Sequence, residues 1–205
     1  EQRKTQYDLE NKDYRLREIQ KIAKLGHWEN NIIKHNLYWS DEVYKIYGVT
    51  PKTFKPTYEK VLNFSHPDDR DSVKHAYENS LITQVPYEIV HRIVLKNGTI
   101  KYVNEKCSTM FDEEGNPLRS LGTVMDITHT IKTEKALKQT EEKFQLLFEN
   151  LDQPFLICKP KYNEKNEVFD FIITELNPAC KILFHGDYVE VKKRTILELF
   201  HDPHF

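Results

Sequence analysis

Cysteine, glycine, net charge and long apolar runs are all scarce in this chain of 205 residues. Its three cysteines, Cys107, Cys158 and Cys180, are far apart and form no Cys-x-x-Cys pair. That spacing argues against a disulfide framework and for a reducing compartment. A formal charge of -2 gives no global field directed at nucleic acid or an anionic membrane. No apolar run approaches the roughly 20 residues that span a bilayer, and no signal peptide is visible, so the segment is expected to be cytoplasmic without membrane contact. With only six glycines there is no phosphate-cradling loop. No Gly-Gly motif of a nucleotide cyclase is present either, and no histidine in a kinase-type phosphoacceptor motif. The chain by itself is therefore not expected to be an enzyme, and no catalytic residue is assigned. It begins with Glu rather than Met. It is thus expected to be a piece of a longer protein, one with room for a membrane anchor elsewhere.

What is present is aromatic and charged: 12% Phe, Trp and Tyr and 30% Asp, Glu, Lys and Arg, enough to build cores in a soluble chain. Residues 1–25 lack Gly and Pro, and Leu9, Leu16, Ile19 and Ala23 mark the stripe of an amphipathic helix that Gly26 would cap. Two short strands follow around Trp28 and Trp39, then short helices capped by Ser40 and Thr57. The run His66-Pro67-Asp68-Asp69-Arg70 opens a longer helix, its proline in the first turn and its carboxylates at the positive end of the dipole. From Tyr87 the period changes to two. Tyr87, Ile89, His91 and Ile93 fall on one face of a strand, Glu88, Val90, Arg92 and Val94 on the other. Asn97-Gly98 marks a hairpin, with strands expected over Ile100 to Phe111 and Leu118 to Met125. The order predicts an α+β domain with an antiparallel sheet and helices on one side.

After Asp126-Ile127-Thr128 the chain runs without Gly or Pro to Gln153. Asp126 and Thr128 are both good N-caps, and Leu137, Thr140, Phe144, Leu147 and Leu151 follow 3-4-3-4 spacing. That seam predicts parallel association of two copies, with Leu137, Phe144, Leu147 and Leu151 between them. A solvated spacer helix is the competing reading.

Six segments, in order and spacing, resemble the PAS fold of bacterial signalling proteins: Gly26-x-Trp28-Glu29, Trp39-Ser40-Asp41-Glu42, His66-Pro67-Asp68-Asp69-Arg70, Tyr87-Glu88 with Arg92-Ile93, Asn97-Gly98, and Gly122-Thr123 with Asp126-Ile127-Thr128. The likeness is greatest to the subclass whose last strand ends in Asp-Ile-Thr. It implies a five-stranded antiparallel sheet with short helices on one side, flanked by long amphipathic helices. A weaker second copy starts near Phe144: Pro154 to Cys158 and Phe169 to Glu175 stand for strands, Asn177-Pro178-Ala179 for Ser40-Asp41-Glu42, and Phe200-His201-Asp202-Pro203 for Phe64-Ser65-His66-Pro67, offset by about 136 residues. The expected division is an N-terminal helix over 1–25, a PAS domain over 26–128, a linker helix over 129–152, and the first part of a truncated second PAS domain over 153–205.

The resemblance also orders the candidate sites. It implies that Asp126 ties the last strand to the outgoing helix by polar contacts, with Ile127 and Thr128 at the joint; Glu88 and Arg92, on one face of a neighbouring strand, are its candidate partners. Trp28, Trp39, Tyr44, Tyr47, Phe54 and Tyr58 either line a small-molecule pocket or simply pack a core. The photoadduct of the family's flavin light sensors needs a cysteine before residue 70, and none lies between Glu1 and Lys106. His75 lies on the helix that carries the haem ligand in haem-binding members, but opposite the apolar face of Val73, Ala76, Tyr77 and Leu81. His201 and His204 lack a third ligand for zinc. No metal, flavin or haem is therefore expected, and a small ligand stays open. The function expected is sensing and signal relay as a homodimer, within a two-component histidine kinase that uses ATP and passes phosphate to a response regulator through its own C-terminal output domain. The alternatives are a ligand-receptor module of a diguanylate cyclase and a purely structural dimerisation module.

Overall fold

The computed structural model describes residues 14–15, 18–184 and 191–201. Contacts divide the chain into two compact units at Thr133/Glu134. The first contains β1 (Leu25–Asn31), β2 (Asn36–Trp39), α1 (Asp41–Ile46), α2 (Tyr58–Leu62), a 3-10 turn (Pro67–Asp69), α3 (Arg70–Thr83), β3 (Tyr87–Val94), β4 (Ile100–Phe111) and β5 (Pro117–Asp126). From Thr128 a helix, α4 (Thr128–Glu149), leads out of it. The five strands form one antiparallel sheet in the order β2-β1-β5-β4-β3, and the α+β expectation holds.

Alternation along the strands decides which side is buried. Trp28, Ile93, Val103, Cys107 and Val124 point inward, where Val43, Ile46 and Tyr47 of the α1 segment and Tyr77 of α3 close over them. Val43, Ile93 and Val103 are wholly buried, each contributing about 1.5–3 kcal/mol by leaving water. Two glycines make this packing fit. A side chain on Gly26 would come within 2.7 Å of Val43 Cγ2, and one on Gly122 would enter the Trp28 indole.

Gly26 is thus no helix cap. It lies within β1 opposite Val124, and the left-handed turn before the strand is made by Lys24 (φ 51°). Helical residues are described at 18–22, whereas Leu9 and Leu16 of the expected stripe lie outside the described residues. Thr57 caps α2 as expected, accepting from Lys60 N. Ser40 does not cap α1: its Oγ accepts from His27 N and its N–H donates to His27 O, which closes the β1–β2 end.

β3 is an edge strand, and edges left open invite foreign pairing. Here the stretch from Phe64 to Asp69 covers it. Val94 N donates to Phe64 O at 2.7 Å, His66 N to Arg92 O at 2.9 Å, and Arg92 N to the Asp69 carboxylate at 2.8 Å. The His66–Arg70 run therefore both starts α3 and seals the sheet.

The second unit contains the hairpin β6 (Leu156–Tyr162) and β7 (Val168–Leu176), a 3-10 turn (Pro178–Ile182) and α5 (Ile196–Phe200), the last closed by a Thr195–Glu198 capping box. Ile173, Leu176, Cys180, Val191 and Leu199 make its small core. Asn177 is fully buried and organises it. Its Oδ1 accepts from Phe155 N, and its amide donates to Leu151 O and Gln153 O.

Candidate functional site

The polar joint at the start of α4 is built by the last residue of β5 and the first residues of β4. One Asp126 oxygen lies 3.0 Å from Lys101 Nζ, and the other accepts from Thr128 N at 3.0 Å. Lys101 also donates to Ile46 O, the last carbonyl of α1, at 3.0 Å. Thr128 Oγ1 accepts from Tyr102 N at 2.9 Å, and Ile127 N donates to Tyr102 O at 2.9 Å. Burial opposes the charge on Asp126, but the Thr128 hydrogen bonds and the Lys101 ammonium outweigh it and hold the carboxyl below its usual range. One lysine thus bridges α1, the sheet and the outgoing helix.

Glu88 and Arg92 are not the partners of Asp126, for a reason of parity. Asp126 lies opposite Val103 and so shares the inward face, whereas Arg92 lies opposite Tyr102 and Glu88 opposite Lys106, on the outward face. Glu88 bonds Asn104 and Lys106 instead. Arg92 holds Asp69 through two guanidinium nitrogens and reaches Asp68 at 3.2 Å. Lys101 escaped the sequence reading, although a charged residue at the inward parity of β4 is itself the signal.

Between sheet and helices lies a cavity of about 50 Å³. Trp28, Trp39, Tyr47 and Tyr58 line it; Tyr44 and Phe54 do not, and pack against Trp39 at ring distances of 5.3 Å. Two groups at the cavity were not singled out from sequence. Buried Glu105 accepts from Tyr87 Oη at 2.8 Å and lies 3.3 Å from Nε2 of buried His91. Burial first, and the Glu105 charge after it, push up the phenols of Tyr47 and Tyr87 and take the Cys107 thiol up to about 12. Tyr58 is likewise raised to about 12, by burial first and then by Glu78, Tyr77 and Glu105.

On α4, Leu137, Phe144, Leu147 and Leu151 nearby are 59%, 47%, 58% and 43% exposed in the single chain. Phe148, not singled out from sequence, is the buried residue of this helix and stacks on Phe144 at 5.5 Å. His75 is exposed on α3, and Cys107 is a buried strand thiol. Among the described residues no group of three His, Cys, Asp or Glu side chains gathers as a metal site, and no helix is long and apolar enough to cross a membrane. His201 Nδ1 lies 2.7 Å from Leu197 O, while Asp202 to Phe205 lie outside the described residues.

The first unit thus combines an antiparallel sheet, helices over one face, a cavity between them, and a helix leaving from the last strand. Residues 36–124 match the family model described as the PAS fold, and they form a PAS domain. The crystal structure of a sensory box histidine kinase/response regulator from Burkholderia thailandensis superposes with a TM-score of 0.55 at 25% identity, over 65% of this chain and 99% of that one. In sequence, the chain is 24% identical over 134 residues to the Escherichia coli protein named "Probable diguanylate cyclase DgcE", covering 65% of this chain and 12% of that protein. It is 23% identical over 190 residues to the blue-light-activated histidine kinase of Brucella anthropi, covering 89% of this chain and 38% of the relative. The chain thus spans a minor part of these two sequence relatives, and what they share with it is a PAS sensory module of histidine kinases or diguanylate cyclases.

Proposed function

We propose that this chain is the sensory and signal-relay module of a two-component sensor histidine kinase, acting as a cytoplasmic homodimer. A change in the PAS core passes through the Asp126-Ile127-Thr128 joint into α4 and on to an output domain that uses ATP and serves a response regulator. The observation that carries this reading is the Lys101 bridge, which ties the end of α1 to Asp126 at the root of α4. Histidine kinases among the matched proteins support that parent. The exposed 3-4-3-4 seam of α4 supports a parallel dimer.

In this proposal the second unit is the first part of another PAS domain. Its hinge resembles that of the first: Asn177 exchanges two hydrogen bonds with Phe155, N–H to O at 3.1 Å and N–H to Oδ1 at 2.8 Å, as Ser40 does with His27. A diguanylate-cyclase parent is the second reading, favoured by the Escherichia coli relative. Adduct photochemistry is no part of either, since no cysteine precedes Cys107.

The test is made in the parent protein. Lys101→Met and Asp126→Asn are each expected to change ATP-dependent autophosphorylation several-fold while the PAS unit still melts cooperatively. Cyclic dinucleotide synthesis changing in place of autophosphorylation would establish the second reading. Unchanged output with both variants would reject the relay.

A further inference from the structure

The buried cluster of Glu105, His91 and Tyr87 is unusual company for an aromatic cavity. Glu105 accepts from Tyr87 Oη through one oxygen and faces His91 Nε2 through the other, an acceptor pattern that suits an ionised carboxylate. No Lys or Arg lines the cavity. A carboxylate in apolar surroundings is costly, and hydrogen bonds from Tyr87 and from a neutral His91 compensate it only in part. With a neutral His91 whose Nε2–H is directed at Glu105, Nδ1 is an acceptor, and it is buried with no hydrogen-bond partner. The site therefore lacks two things, a positive charge and an N–H donor. Among its lining residues are Trp28, Trp39, Tyr47 and Tyr58, side chains of the kind that attract cations through their ring quadrupoles. A protonated amine supplies the charge and the donor together.

We propose that the cavity binds a small alkylammonium ion, its N–H groups on Glu105 and His91 and its alkyl part against the tryptophan and tyrosine rings. The volume of about 50 Å³ limits the guest to a handful of non-hydrogen atoms, well below the roughly 300–1,000 Å³ of pockets for drug-sized molecules. This deepens the sensor reading and rests on it, naming the class of ligand that such a module would report.

Trp28 and Trp39 are the only two tryptophans and both line the cavity, so emission of the whole chain reports occupancy. Isopropylammonium chloride is titrated against isopropanol, which has the same carbon skeleton without charge, with sodium chloride holding ionic strength constant. The ammonium is expected to give a saturable change in the millimolar range or below, at least tenfold tighter than the alcohol. Glu105→Gln is expected to weaken the ammonium at least tenfold and leave the alcohol unchanged. Where Glu105→Gln fails to melt cooperatively, Tyr58→Leu at the exposed rim is used, with a several-fold loss expected. Equal binding of alcohol and ammonium, full affinity in the variant, or no saturable response to the ammonium overturns the proposal. None of these results touches the Lys101 and Asp126 test, so failure of the ligand class and failure of the relay are distinguishable.

Discussion

Asp69→Asn is the substitution whose cost can be worked most closely from the geometry. Asp69 Oδ1 lies 2.5 Å from Arg92 Nη2, and Oδ2 accepts from Arg92 Nε at 2.9 Å and from Arg92 N at 2.8 Å. The fork is bidentate and charge-assisted, with side chains 20% and 29% exposed. The Arg92 guanidinium hydrogen bonds are the main cause, acting against burial, that hold the Asp69 carboxyl at about 2 rather than 3.8. A folded-state value below the unfolded one means that stability is gained above the unfolded value. It is lost as pH falls from about 4 toward 2, because the unfolded chain takes up the proton first. The full shift corresponds to about 2.5 kcal/mol, and solvent screening of partly exposed groups reduces this to about 1–2 kcal/mol. Asn keeps one acceptor but no charge, so most of that contribution should vanish at pH 7. The assay is urea unfolding read by tryptophan emission, since both tryptophans lie in the first unit. With a slope of roughly 1–3 kcal/mol per molar urea, the midpoint should drop by about 1 M. The gap between wild type and variant should then shrink to about a third of its pH 7 size at pH 2.5. A gap as large at pH 2.5 as at pH 7, or none at pH 7, would refute the assignment of this stability to the Asp69–Arg92 pair.

Two further substitutions test the packing and the seam. Gly122→Ala places a Cβ within the Trp28 indole and should cost about 1–3 kcal/mol by overpacking, seen as a lower urea midpoint with altered tryptophan emission. A midpoint equal to wild type would show that the indole is free to move. Leu137→Glu with Leu147→Glu should leave that midpoint unchanged, both side chains being exposed in the single chain, but should convert the expected dimer to a monomer in sedimentation velocity. A dimer that survives would place the interface off this seam. Phe144 is left intact because it stacks on buried Phe148.

The fold of the first unit was legible because its signals are local. The span Ile100–Phe111 read from alternation is the span of β4, and the Asn97-Gly98 turn sets the register of β3 against it. What was not legible depends on distant contacts. Gly26 reads as a helix cap from its neighbours, yet its small size is demanded by Val43 and Val124 from other elements. Ser40 reads as an N-cap, but a partner 13 residues away takes its hydroxyl. The partner of Asp126 needed the pairing of β4 with β5, which places Lys101 and not Arg92 on its face. The alternation of β3 and β4 already put Glu105 and His91 on the inward side. A charged or titratable residue at inward parity is itself the sequence signal of a site.

The cavity and the joint share α1, and that is what makes a relay from one to the other physically economical. Val43 and Tyr47 line the cavity, and the carbonyl of Ile46 between them holds Lys101, which holds Asp126. A helix of six residues is about 9 Å long, so a guest pressing on its inner side acts within two turns of the bond that fixes the root of α4. Such a guest shifts α4 only by as much as it binds one arrangement of α1 better than another. Linkage makes the effect reciprocal: whatever fixes α4 must alter the affinity of the cavity by the same factor. With Lys101→Met, cavity affinity and output should therefore become independent of each other, even where each alone survives. Lys101 is thus the residue at which a merely packed core and a signalling core part ways.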